Sequence, residues 1–155
     1  MILVPTRVAA SGIHGNGLFA DACVAEGTPF YQFLPGFDQA LSPDAWSAMP
    51  EPVRGFVRHF TYYDRASHRM ILSGDDARFM NHSETPNTGV PEEALSGTGE
   101  RVITRALRDI AAGEELTCDY RAFDGDVAWK LGQVPATSPL GAIADASAPR
   151  KVPQG

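Results

Sequence analysis

Glycine and proline punctuate this chain so often that its apolar stretches stay short. Among 155 residues there are 15 Gly and 12 Pro. Ile2, Leu3 and Val4 lead into Val8, and the turn Gly12-Ile13-His14-Gly15-Asn16-Gly17 follows. Leu18-Phe19-Ala20 then reads as a strand, and Gly27-Thr28-Pro29 turns into another at Phe30 to Leu34. Glycines supply the positive φ that such turns demand and other residues resist. The same pattern continues with Thr61-Tyr62-Tyr63, Arg69 to Leu72, Arg101 to Thr104 and, after the turn Ala111-Ala112-Gly113-Glu114, Glu115 to Tyr120. This predicts a mainly β domain of short curved strands. A small helical insert is expected at about residues 42–60, opened by Ser42-Pro43 as cap and first helical position. Pro50 and Pro52 are expected to break it, with a second helix over Val53 to Phe60 that packs Phe56, Val57 and Phe60 into the core. Asp75 or Asp76 is positioned to cap a short helix over Ala77 to Asn81. Residues 88–99 read as a loop or hairpin. After Val134 the composition shifts to Ala, Pro and Ser, so the domain is expected to span 1–133, with 134–155 a loose tail.

Composition narrows the class of function. A net charge of −6 argues against nucleic acid as the main partner, because phosphate binding needs a basic surface, and it leaves a basic protein partner electrostatically welcome. The two cysteines, Cys23 and Cys118, have neither metal-ligand spacing nor a Cys/His cluster beside them, so neither a metal site nor a disulfide framework is expected. No apolar run approaches membrane-spanning length and the start lacks a signal-peptide pattern, which predicts a cytoplasmic protein.

Three stretches carry the chemistry. Taken singly, a Gly-x-Gly is most often a turn, an Asn-His-Ser a capped turn, and an Asp-Tyr after a strand a surface end. In order they are Gly15-Asn16-Gly17-Leu18-Phe19-Ala20, then Arg78-Phe79-Met80-Asn81-His82-Ser83 with Pro86-Asn87, then Gly113-Glu114-Glu115-Leu116-Thr117-Cys118-Asp119-Tyr120. This succession resembles the SET domain family of protein-lysine methyltransferases over roughly residues 10–125. The resemblance implies a β-clip type fold with a knot-like C-terminal threading, in which the Asn-His-Ser segment lies beside the last strand. It also implies methyl transfer from S-adenosylmethionine to a lysine side chain of a protein substrate.

By the same resemblance Gly15, Asn16 and Gly17 let the backbone approach the cofactor, and Arg78 pairs with its carboxylate. Asn81 and His82 bind the amino group and adenine of the cofactor, partly through backbone atoms. Tyr120 matches the catalytic tyrosine. An unperturbed phenol titrates near 10, so positioning and electrostatics suit it better than service as a base. Tyr62 and Tyr63 read as strand residues.

The chain also departs from the family. Glu84 stands where many members carry a zinc-linked Cys, and no Cys-rich segment follows, so no metal is expected; Phe123 and Trp129 are the candidates for an aromatic cover on the cofactor, with Phe123 assigned to cofactor binding, or else serve as core plugs. Cys118 stands where histone-directed members usually carry Phe or Tyr; with Val90 it is assigned to the substrate channel, where a smaller side chain leaves room for higher methylation. The rival expectation is a non-catalytic SET-like module that binds a peptide or protein partner. A homodimer is a further expectation, since a second copy could complete the site.

Overall fold

The computed structural model describes residues 1–90 and 103–133. Among the described residues, ten short strands form three small sheets. In the first, β1 (Thr6–Ala10), β2 (Asn16–Ala20), β10 (Glu115–Cys118) and β7 (Asn81–His82) lie in the order β1-β2-β10-β7. Its first two pairings are antiparallel, Val8 facing Leu18 and Leu116 facing Leu18. The third, β10 with β7, is parallel and sets Thr117 against Asn81 and Cys118 against His82. The second sheet runs β3 (Pro29–Gln32), β9 (Ile103–Ala106), β8 (Thr88–Gly89), and the third β4 (Gln39–Leu41), β6 (Arg69–Leu72), β5 (Thr61–Asp64). Leu18, Ala20, Val24, Phe30, Ala106, Ile110 and Leu116 form one buried apolar cluster between the first two sheets. Trp46, Val57, Tyr63 and Met70 form a second one under the helices.

The helical insert is present. Helix α1 (Pro43–Ser47) starts at Ser42, whose hydroxyl accepts from the Ala45 N–H at 3.1 Å. Helix α2 spans Glu51–Phe60, so Pro52 opens this helix rather than ending the first one. A proline in the first turn lacks only an N–H that has no partner there in any case. The packing of α2 also corrects an expectation. Val57 is buried, but Phe56 is 56% exposed. Adjacent residues on a helix point about 100° apart, so the face that seats Val57 against the second cluster turns Phe56 outward. There Phe56 packs at a tilt against Phe60 at 4.9 Å, and Phe60 meets Phe79 edge-on at 5.7 Å.

Asp75 caps a single 3-10 turn over Asp76–Phe79, and Asn81 already belongs to a strand. The expected strand at Arg101 to Thr104 is observed from Ile103, its first two residues lying outside the described residues. The remainder of the loop expected at 88–99 beyond Val90, and the tail at 134–155, also lie outside them. A third helix, α3 (Val127–Lys130), was not foreseen.

Candidate active site

The segment Arg78–Asn87 grips β10 at two places. At its start β7 pairs with Thr117 and Cys118. At its end Asn87, fully enclosed, substitutes for a strand partner: its Oδ1 accepts from Thr117 N at 2.8 Å, and its Nδ2 donates to the Glu115 carbonyl at 2.8 Å and to the Glu114 carboxylate at 2.9 Å. Thr88 Oγ1 donates to the Thr117 carbonyl at 2.9 Å. Buried amides must find such partners, and Asn87 meets both its donor and its acceptor needs on one strand.

Asn81 performs a related task on the other side. Its Nδ2 donates to the carbonyls of His14 and Asn16, both at 3.1 Å, and to Glu115 Oε1 at 2.8 Å. Glu115 in turn accepts from Ser11 Oγ at 2.8 Å, and Ser11 Oγ accepts from Ile13 N at 2.8 Å. The turn between β1 and β2 is thus tied at several points to the Asn-His-Ser segment. Gly15 sits in it at φ +50° with nothing within 4 Å of where a Cβ would stand. The Asn81 side chain is therefore committed to holding this turn.

His82 links the segment to Tyr120. Its Nδ1 accepts from Tyr120 N at 3.2 Å, which assigns the ring proton to Nε2. The Asp119 carboxylate lies 3.5 Å from the same Nδ1. Tyr120 donates its hydroxyl to the Met80 carbonyl at 2.6 Å. Burial pushes the Tyr120 phenol well above its ordinary value, and the negative field of Asp124 adds to that shift. Tyr120 is a fixed, protonated hydroxyl.

These groups meet at a cleft of about 620 Å³. Gly15, Asn16, Arg78, Asn81, His82 and Tyr120 all line it, although they come from three separate parts of the sequence. Trp129 and Lys130 of α3 and His59 and Phe60 of α2 close its other side. The Arg78 guanidinium lies near the Phe79 ring at 5.4 Å, and no carboxylate among the described residues pairs with it.

Four sequence-named residues lie elsewhere. Gly17 is on β2, where an added Cβ would stand 2.2 Å from Glu115 Oε1, so its smallness serves Glu115. Phe123 packs edge-on against Tyr62 at 5.1 Å and near Tyr120 at 6.1 Å, behind the cleft. Cys118 is buried in β10, with its thiol pushed up to about 12 by burial. Val90 is half-buried at the edge of the described residues. Of the two aromatics offered as a cover, Trp129 lines the cleft and Phe123 does not.

Sequence reading missed Asn87 as an anchor, Glu115 as the hub of the turn, and the acidic pair Asp124 and Asp126. The last had a signal: two carboxylates beside Phe123 and Val127, in a stretch otherwise suited to burial, call for cationic partners.

The SET domain family profile matches residues 15–121. The chain is 31% identical over 132 residues to "Histone-lysine N-methyltransferase, H3 lysine-4 specific" of Emericella nidulans, covering 79% of this chain and 10% of that protein. Its fold is similar to that of Chaetomium thermophilum Polycomb Repressive Complex 2 bound to GSK126, with a TM-score of 0.57 and 19% identity over 84% of this chain and 17% of that one. A structure of ctPRC2 in an autoinhibited conformation bound to S-adenosylmethionine gives a TM-score of 0.55 and 20% identity, over 84% of this chain and 17% of that one. The chain spans about a tenth or less of the length of the curated relatives it matches. It belongs to the SET domain family, and its mainly β architecture is the one that family adopts.

Proposed function

We propose that this domain transfers a methyl group from S-adenosylmethionine to a lysine side chain of a protein substrate. The observation that carries this reading is the convergence of the Gly15 turn, Arg78, His82 and the buried Tyr120 hydroxyl on one cleft. Its volume falls within the usual range for cofactor pockets, roughly 300–1,000 Å³. The residues suit the cofactor chemically. Gly15 leaves open space for close approach, and Arg78 offers a guanidinium for a carboxylate. His82 presents an Nε2 donor, and the Trp129 indole offers an apolar face. The similarity to a structure that holds S-adenosylmethionine supports the same assignment.

When bound, S-adenosylmethionine supplies an electrophilic methyl on a cationic sulfur. The protein's part is to hold and orient. Tyr120 keeps its proton, so its hydroxyl and ring act as a fixed dipole and a π-face toward positive charge. The lysine amine has to arrive neutral, and a dry apolar approach favours that form. A basic protein is the substrate class. The net charge of −6 supports this, as do the relatives named for histone H3. Cys118 is buried in β10 outside this cleft, and its part in the proposal rests on the resemblance alone: a side chain smaller than the ring of histone-directed members leaves room for more than one methyl.

Calorimetric titration with S-adenosylmethionine, run beside Arg78→Ala, tests the cofactor assignment, since the Asn81 side chain is already engaged in the turn. One-to-one binding by the parent and its loss in the variant are expected. A folded parent that binds none would transfer the case to a SET-like module that binds a peptide without turnover. Mass spectrometry of methylated histone mixtures tests the rest; product confined to monomethyl-lysine would refute the role given to Cys118.

A further inference from the structure

After Tyr120 the chain crosses β5 and enters α3, which ends three residues before the described course does. The crossing is close. Gly125 N donates to the Tyr63 carbonyl at 2.8 Å, and a Cβ on Gly125 would stand 2.6 Å from the Tyr63 ring. Asp124 is wholly enclosed, and its Oδ1 accepts from Tyr63 N at 3.0 Å and Asp126 N at 2.8 Å. Helix α3 is four residues long, far too short to hold its own shape. Something else fixes it.

Two ion pairs do so. Arg58 of α2 makes a bidentate pair with Asp126, Nε to Oδ2 at 2.7 Å and Nη2 to Oδ1 at 2.9 Å. Lys130 of α3 places Nζ 3.1 Å from Asp124 Oδ2 and also donates to the Thr61 carbonyl. The carboxylates are 0% and 1% exposed and their cations 14% and 16%, so water screens neither pair appreciably. The guanidinium of Arg58 also covers the Trp129 indole at 4.2 Å. One face of Trp129 is thereby fixed while its ring lines the cleft. Lys130 Nζ lies 5.5 Å from the Tyr120 ring, so the second pair abuts the catalytic tyrosine itself.

We propose that the Arg58–Asp126 and Lys130–Asp124 pairs form a two-point latch that positions Trp129 as the cofactor-facing wall of the cleft. Arg58 and Asp126 are positioning residues that act through Trp129. The cofactor part of this assignment rests on the reading of the cleft given above; the mechanical part does not. A planar fork is required at position 58, since lysine would keep the charge but lose both the bidentate geometry and the flat cover on the indole.

The test compares the parent with Asp126→Asn, Arg58→Lys and the doubly neutral Arg58→Met/Asp126→Asn. The double variant removes both charges together, so it remains informative if Asp126→Asn alone fails to fold. Without any ligand, amide exchange over residues 124–133 and the emission of Trp129 report the latch. Trp46 is the one other tryptophan in the chain, and it is buried in the second core cluster. Exchange about tenfold faster and red-shifted emission are expected, with far-ultraviolet dichroism unchanged. With S-adenosylmethionine, Kd and the cofactor KM rise about tenfold or more while kcat stays within about threefold, the pattern of a lost binding wall. Arg58→Lys falls between parent and double variant. Parent-like exchange and emission in the folded double variant would overturn the latch. Faster exchange with an unchanged cofactor Kd would overturn the role of Trp129. A parent that binds no cofactor would fail the proposed function, and exchange and emission would still decide the mechanical claim.

Discussion

Gly17→Ala is the substitution whose cost the structure specifies most directly. Gly17 lies in a strand at an ordinary φ, so an alanine meets no backbone strain there, and in a strand alanine is worth about 0.5–1 kcal/mol over glycine. The added Cβ, however, would stand 2.2 Å from Glu115 Oε1 and 2.7 Å from its Cδ. A carboxylate on a flexible stem can swing away, but it then leaves Asn81 Nδ2 at 2.8 Å and Ser11 Oγ at 2.8 Å. Hydrogen bonds to a charged group contribute about 1.5–3 kcal/mol each, and water restores part of that at a half-buried site. The net loss is about 2–4 kcal/mol, or a fall in Tm on the order of 10 °C for a domain of this size. The assay is a double-mutant cycle of chemical denaturation with Glu115→Ala. In that background the collision is gone and Gly17→Ala is expected to be neutral within about 1 kcal/mol, giving a coupling of about 2 kcal/mol or more. An equal cost in both backgrounds would refute the reasoning and return Gly17 to the cofactor role that its motif suggests.

Three further outcomes follow from particular contacts. Asn87→Ala removes the acceptor of Thr117 N and the donor to Glu115 O inside the core, and a loss of about 3 kcal/mol or more is expected in urea titration; a loss under 1 kcal/mol would show that β10 is held otherwise. The Arg108 guanidinium, aided by Asn87 and Ala111 N–H and opposed by partial burial, holds Glu114 down to about 2 from 4.5. That stability is fully present above pH 4.5 and is lost as pH falls through about 2. Melting curves of Glu114→Gln should therefore flatten over this window relative to the parent, and parallel curves would contradict the assignment. Cys23 is exposed, whereas Cys118 is buried with its thiol pushed up to about 12, so iodoacetamide at pH 8 should add one group to the native protein and two after denaturation, counted by mass.

What the sequence disclosed was what short-range chemistry determines. Gly15 needed a positive φ, Ser42-Pro43 opened a helix and Asp75 capped a turn, and all three are read from neighbours a few residues away. Gly15, Asn16, Arg78, Asn81, His82 and Tyr120, from three motifs read separately along the chain, line one cleft. The facing of side chains was less legible. Phe56 and Val57 differ by one position, and only the placement of α2 decides which is buried. Gly17 stands in a motif for a ligand yet answers to Glu115, a partner 98 positions away whose approach no local pattern encodes. The ion pair of Asp126 was hidden for the same reason, since Arg58 precedes it by 68 positions.

The double grip on β10 has a kinetic consequence. Its partners Leu18, Asn81 and Asn87 all precede it by long intervals, and the β7 pairing is parallel, which local turns cannot assist. The Gly15 turn is tied to Asn81 and to Glu115 together, so the cleft floor cannot form before residues 113–120 arrive. During synthesis residues 1–112 therefore wait, with the apolar faces of β2 and β3 uncovered, until β10 leaves the ribosome. Competence to bind a ligand appears together with completion of the first sheet, and the interval before that moment is when this domain is most open to aggregation and to chaperones.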